Sequence, residues 1–107
     1  MIKDTFLDFI LDQLSPLGDI DPRRMFGGTG IYRAGVFFAI LSKGRLYFKT
    51  DPATRQRYLD EGMQPFQPNA KITLKSYYEV PPSVLENRQQ IVEWATEAIA
   101  AQQRESP

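Results

Sequence analysis

The segment Gly27-Gly28-Thr29-Gly30 is the first place where residue type and spacing could do chemistry. A phosphate loop needs glycine-rich backbone leading from a strand into a helix N-terminus, with lysine and then serine or threonine in the nucleoside-triphosphate version. Here the glycines lead into the β-prone run Ile31-Tyr32-Arg33 and no lysine follows. A tight hairpin or bulge that needs positive φ angles is the favoured reading. A small-molecule or phosphate site on Gly27 to Gly30 stands as an alternative.

Carboxylates are the other groups that could carry acid–base or metal chemistry. Asp4, Asp8 and Asp12 share one helical ridge, where like charges four apart repel by a few tenths of a kcal/mol. No convergent oxygen ligands accompany them, so a solvated acidic stripe or a contact for a basic partner is expected. Asp51 suits a helix cap. Glu79 follows two tyrosines but has no recognisable carboxylate partner. Ser42, Ser76 and Ser83 have no histidine to activate them, because the chain contains neither histidine nor cysteine. That removes the commonest general base, the commonest metal ligand, the thiol nucleophile and any disulfide. The expectation is a protein without catalysis, metal or cofactor.

Charge is distributed more informatively than its zero sum suggests. Residues 1–22 hold one basic and five acidic residues, net −4; residues 23–75 hold ten basic and three acidic, net +7; residues 76–107 hold two basic and five acidic, net −3. Within the basic half, Arg45, Tyr47 and Lys49 alternate outward around Leu46 and Phe48, and Lys71, Lys75 and Tyr77 repeat the pattern. Interleaved cations and aromatics on a sheet can hold phosphates and stack bases, or meet an acidic protein surface. With Arg23 and Arg24, the residues Arg45, Tyr47, Lys49, Lys71 and Lys75 form the candidate contact for nucleic acid or an acidic partner. Against nucleic acid stands the zero net charge, since such modules usually carry a basic excess. Internal pairing of the basic sheet half with acidic helices is the plainer expectation.

The elements that must position these residues read clearly. Phe6, Ile10 and Leu14, four apart, predict a helix over about 3–15, ended by Pro16 and Gly18. Short β-prone runs follow at 24–26, 30–33, 36–41 and 45–49, with Ser42-Lys43-Gly44 as a hairpin turn and the glycine hairpin splitting the first strand. Val36 to Leu41 is apolar on both faces, as expected of a central strand covered on both sides or of a dimer contact. Asp51-Pro52 opens a second helix and Gly62 closes it. Met63 to Gln67 is an edge strand because of Pro65. In the next strand Ile72, Leu74, Ser76, Tyr78 and Val80 face one way and Lys71, Thr73, Lys75, Tyr77 and Glu79 the other. Ser83 with Glu86 forms a capping-box pattern ahead of a long helix carrying Val84, Ile91, Ala95, Ala98 and Ile99.

Hydrophobic residues at 42% and charged residues at 24% make 107 residues a globular chain with room for one core. A single domain over 1–107 is expected, α+β in class, with a mostly antiparallel sheet, helices on one face and a frayed tail at 102–107. The start lacks the basic and apolar run of a signal peptide and nothing is long enough to span a membrane, so a cytoplasmic setting is expected.

Several segments together resemble one known family. Arg23-Arg24-Met25-Phe26-Gly27-Gly28-Thr29-Gly30-Ile31-Tyr32, Gly44-Arg45-Leu46-Tyr47-Phe48-Lys49, Pro65-Phe66, Tyr77-Tyr78-Glu79-Val80-Pro81, Leu85-Glu86 and Trp94-Ala95 are similar to the TfoX/Sxy N-terminal domain over about residues 5–100. The resemblance implies a two-layer α-β(3)-α-β(2)-α fold like that of secretion chaperones, and no catalytic residues or cofactor. It also implies a role in DNA-uptake competence, where the namesakes act as transcriptional regulators beside a sequence-specific activator. Those regulators carry a second, helical C-terminal domain, whereas this sequence ends at Pro107. A transcription-accessory or protein-interaction module is therefore the leading expectation, with a protein partner or nucleic acid as target. A homodimeric chaperone-like adaptor is the alternative.

Overall fold

A computed structural model describes residues 5–25 and 27–105. The elements are α1 (Thr5–Gln13), β1 (Ile20–Met25), β2 (Gly28–Arg33), β3 (Val36–Ser42), β4 (Arg45–Lys49), α2 (Pro52–Asp60), β5 (Pro65–Asn69), β6 (Ile72–Glu79), α3 (Pro82–Leu85) and α4 (Arg88–Glu105). A 3₁₀ turn, Ser15–Leu17, follows α1. The class is α+β, as expected: one antiparallel sheet in the order β1-β2-β3-β4-β6-β5, backed by helices. The glycine hairpin does split the first strand, so four strands rather than three precede α2. Phe26, assigned to a strand from the sequence, and Asp4, assigned to the acidic ridge, lie outside the described residues. Among the described residues no helix is long and apolar enough to cross a membrane.

Local chemistry explains the turns. β2–β3 and β3–β4 are joined by Ala34-Gly35 (φ 49° and 84°) and Lys43-Gly44 (φ 51° and 76°). Both central residues of each loop have positive φ, the turn whose twist matches that of paired strands. Both sheet edges carry proline, Pro22 in β1 and Pro65 and Pro68 in β5, which cannot donate to an added strand. At α2, the Thr54 N–H donates to Asp51 Oδ1 (2.9 Å) and the Asp51 N–H to Thr54 Oγ1 (3.0 Å). At its far end the Gly62 N–H meets the Leu59 carbonyl (3.0 Å) and the Met63 N–H the Tyr58 carbonyl (3.0 Å), with Gly62 at φ 74°. These satisfy carbonyls that the helix leaves open.

The main core lies between the helices and one sheet face. Ile10 and Leu14 from the first helical segment, Tyr58 from α2, Val84 from α3 and Ile91, Trp94, Ala95 and Ala98 from α4 pack on Ile31, Leu41, Leu46 and Phe48. The opposite face holds a second cluster: Ile40, Tyr47, Phe66 and Tyr77, with Phe37 and Leu74 against it. A register shift lets the three residues between Leu74 and Tyr78 bulge from β6, because Phe66 pairs with Leu74 while Pro65 pairs with Tyr78. The bulge changes the side-chain parity. Leu74 consequently joins Tyr77 in this second cluster, not Tyr78, contrary to strict alternation. Ile40 is fully buried on one face of β3, and Ala39 and Leu41 on the other. Phe38 to Leu41 of the doubly apolar run are thus covered within one chain.

Two further expectations are corrected. The Ser83–Glu86 box does not form: α3 follows Pro81 without a side-chain cap, and α4 opens where Asn87 Oδ1 accepts from the Gln90 N–H at 3.0 Å. Of the tail expected at 102–107, residues 102–105 continue α4 to Glu105, and 106–107 lie outside the described residues.

Candidate functional site

The seven residues expected to make one contact surface are divided by the sheet. Arg23 and Arg24 lie on the β1 edge, Arg45, Tyr47 and Lys49 on β4, and Lys71 and Lys75 at or beside β6. β1 and β6 stand four strand spacings apart, about 19 Å. Tyr47 packs against Phe66 with ring centroids 4.8 Å apart and is 9% exposed; Tyr77 is 7% exposed. Burial, and secondarily Glu79, raises the Tyr47 phenol above its ordinary range. Burial, then Glu105 and Tyr32, does the same for Tyr77. Both stay neutral at physiological pH and serve as packing. They are not free rings on which bases could stack.

Lys49 is buried as well. Its ammonium pairs with Glu105 at the end of α4, donates to Ser76 Oγ (3.1 Å) and lies 5.4 Å from the Tyr77 ring centre. Arg45 spans both oxygens of Glu79 at 3.0 and 3.1 Å. Arg23 bonds Asp21 at 2.8 Å and lies 5.2 Å over Tyr32. Further pairs join three more basic residues to acidic ones elsewhere: Arg57 to Glu97 (2.7 Å), Arg88 to Asp12 (2.7 Å) and Arg104 to Asp51. Exposed pairs of this kind each contribute at most about 1 kcal/mol. Their larger consequence is to cancel the field of the basic half against the acidic helices. The carboxylates singled out for chemistry, Asp12, Asp51 and Glu79, are engaged in the same way.

Asp51 also responds to pH. The Arg104 hydrogen bond, followed by the Thr54 N–H, holds its carboxyl below the usual carboxylate range. A depressed folded value means the unfolded chain takes up the proton first as pH falls. The stabilisation is therefore complete above about pH 4, the ordinary carboxylate value, and drains away as pH drops toward the lowered one. Asp51→Asn should flatten this part of the melting temperature against pH profile; an unchanged acid limb would contradict the assignment.

Two of the cations left unpaired among the described residues, Arg24 and Lys43, come together near the glycine hairpin. A solvent-open groove of about 470 Å³ runs between Phe6 and Leu7 of α1, Arg23, Arg24, Gly27, Gly28 and Thr29 of the first hairpin, and Leu41, Lys43 and Gly44 of the second. Gly27 has φ 73°, which suits glycine in the turn. Gly28 is required by proximity: a Cβ there would lie 2.3 Å from the Leu41 carbonyl oxygen. Absence of side chains thus lets the hairpin sit flush against β3, leaving the groove between the two turns. Sequence reasoning placed Arg23 and Arg24 in a site but missed Lys43, whose turn position explained it fully. It also missed Glu105, whose partner Lys49 is remote in sequence. The charge inventory alone could have suggested that pairing.

These features define a class: a helix-backed antiparallel-sheet domain with a cationic groove beside a glycine hairpin. The chain belongs to the TfoX N-terminal domain family, whose model matches residues 12–102. It is similar to the DNA transformation protein TfoX1 of Aliivibrio fischeri, 27% identical over 81 residues, covering 74% of this chain. That match spans 37% of the relative's length, so the chain corresponds to little more than a third of it.

Proposed function

We propose that the chain is a non-enzymatic regulatory module of the competence system, acting in the cytoplasm by contacting a protein partner of the transcription machinery. Family membership and the name of the transformation protein it resembles support the setting. The observation that carries the choice of protein over DNA is the pairing of Arg45 with Glu79 and Lys49 with Glu105, in the middle of what would have been the nucleic-acid face. A nucleic-acid track needs several unpaired cations in line with exposed rings. Here Tyr47 and Tyr77 are buried and the cations on β4 are neutralised.

Fluorescence anisotropy of labelled duplex DNA tests the choice. No saturable binding is expected even at about 50 mM salt, where electrostatic affinity would be near its strongest. Binding that falls steeply between about 50 and 200 mM salt would overturn the reading and make nucleic acid the target.

A further inference from the structure

We propose that the groove between the Gly27–Gly28 hairpin, the Lys43–Gly44 turn and the start of α1 is a docking site for an acidic peptide segment carrying an apolar anchor residue. This rests on the protein-contact reading above and specifies its chemistry.

Charge is the first argument. Arg23, Arg45, Lys49, Arg57, Arg88 and Arg104 each have a carboxylate partner. Arg24 on β1 and Lys43 in the β3–β4 turn, both lining the same groove, have none among the described residues and stand exposed. Two cations brought to one cleft repel each other, and an anionic partner relieves that repulsion while exposed lysines elsewhere, such as Lys71 and Lys75, have no such focus. Arg23 adds a third cation, held by Asp21 and by the Tyr32 ring.

The groove's floor and shape select the kind of anion. Phe6, Leu41 and Pro22 line it, so it offers apolar surface as well as charge. A bare phosphate has no use for that surface; a side chain such as leucine between two carboxylates does. The cleft is open to solvent along its length, whereas small-ligand sites enclose most of their occupant. An extended chain segment fits such an opening and leaves its own ends in water. Addition of a strand is not the mode, because Pro22 interrupts the donor row of the β1 edge. Gly28 now has a functional reason beside its steric one: any side chain would push the hairpin off Leu41 and reshape the cleft.

The test uses a short fluorescein-labelled peptide alternating glutamate with leucine, a lysine–leucine counterpart, inorganic phosphate alone, and the whole chain labelled with ¹⁵N. The acidic peptide should shift the amides of Gly28, Thr29, Lys43 and Gly44, and the basic one should leave them in place. Arg24→Glu with Lys43→Glu should weaken acidic-peptide binding about tenfold or more, equivalent to about 1.4 kcal/mol, with an unchanged melting temperature. Should that pair disturb folding, Arg24→Gln and Lys43→Gln singly should each give a partial loss. Equal binding by the double variant, shifts centred elsewhere, or saturation of the same amides by phosphate at the same concentration would each overturn the assignment. None of those results touches the choice of protein over DNA, which the DNA titration tests.

Discussion

Replacing Lys49 with glutamate is expected to lower the unfolding free energy by about 3–5 kcal/mol, the cost of placing an uncompensated charge at this buried position. Lys49 is only 5% exposed, and its ammonium is shared between Glu105, Ser76 Oγ at 3.1 Å and the Tyr77 ring face. A glutamate in its place would remove the donor to Ser76, oppose Glu105 and turn a negative group toward the electron-rich face of Tyr77. Every contact that held the cation would repel or abandon its replacement. Lys71→Glu and Lys75→Glu serve as controls, because both side chains are exposed and unpaired among the described residues. They should stay within about 0.5 kcal/mol of the parent. Urea denaturation of the three variants makes the comparison. If Lys49→Glu unfolds at the same midpoint as Lys75→Glu, the latch between β4 and the end of α4 does not exist in solution. The consequence for functional work is direct: lost binding in a Lys49 variant reports on the fold and not on a contact.

Tyr58→Ala should be of similar size, about 3–5 kcal/mol, as for other large aromatic deletions from a core. Tyr58 is 2% exposed at the junction of α2, β6 and α4. Its ring meets Trp94 edge-on at 4.8 Å and lies 6.3 Å from Tyr78, while Arg57 covers the Trp94 ring at 4.5 Å. Removing the ring would leave α2, a helix whose other buried contacts are few, without its anchor to the sheet. Trp94 is the sole tryptophan, so its emission reports the change without added labels. A red-shifted emission and an earlier urea midpoint are expected. Leu59→Ala, at a side chain 46% exposed, should move neither by more than about 0.5 kcal/mol. Parent-like emission from Tyr58→Ala would refute the placement of α2. Burial also raises the Tyr58 phenol far above its usual value, so tyrosinate formation at this site should coincide with alkaline unfolding.

Much of the scaffold was legible because it depends on local stereochemistry. Asp51-Pro52 and Gly62 bracket α2 as read, since a cap and a positive-φ terminator act within a few residues of themselves. Lys43-Gly44 makes its turn, and Pro65 lies on an edge strand, for the same reason. Ser83 misled because a capping pattern competes with its neighbours. With Pro82 already in the first turn and Asn87 free to cap, the chain makes a short helix and begins again at Arg88. The family signature was legible as well, being a series of short motifs in order.

The candidate contact residues show where such reading stops. Alternation in β4 correctly put Arg45, Tyr47 and Lys49 on one face, but a period of two says which residues share a face and nothing about what covers it. The cover comes from Phe66 and Leu74, brought round by the bulge in β6, and from Glu105, more than fifty residues away. Likewise the glycines at 27 and 28 announced a hairpin, while only packing against Leu41 and the neighbouring turn made a cleft with Arg24 and Lys43 at its rim. The sequence by itself determined the class, most of the order of elements, the absence of histidine and cysteine chemistry, and the family. Tertiary structure alone decided which cations are spent on carboxylates and which remain free, because charge pairing and groove shape depend on through-space neighbours that no local rule specifies.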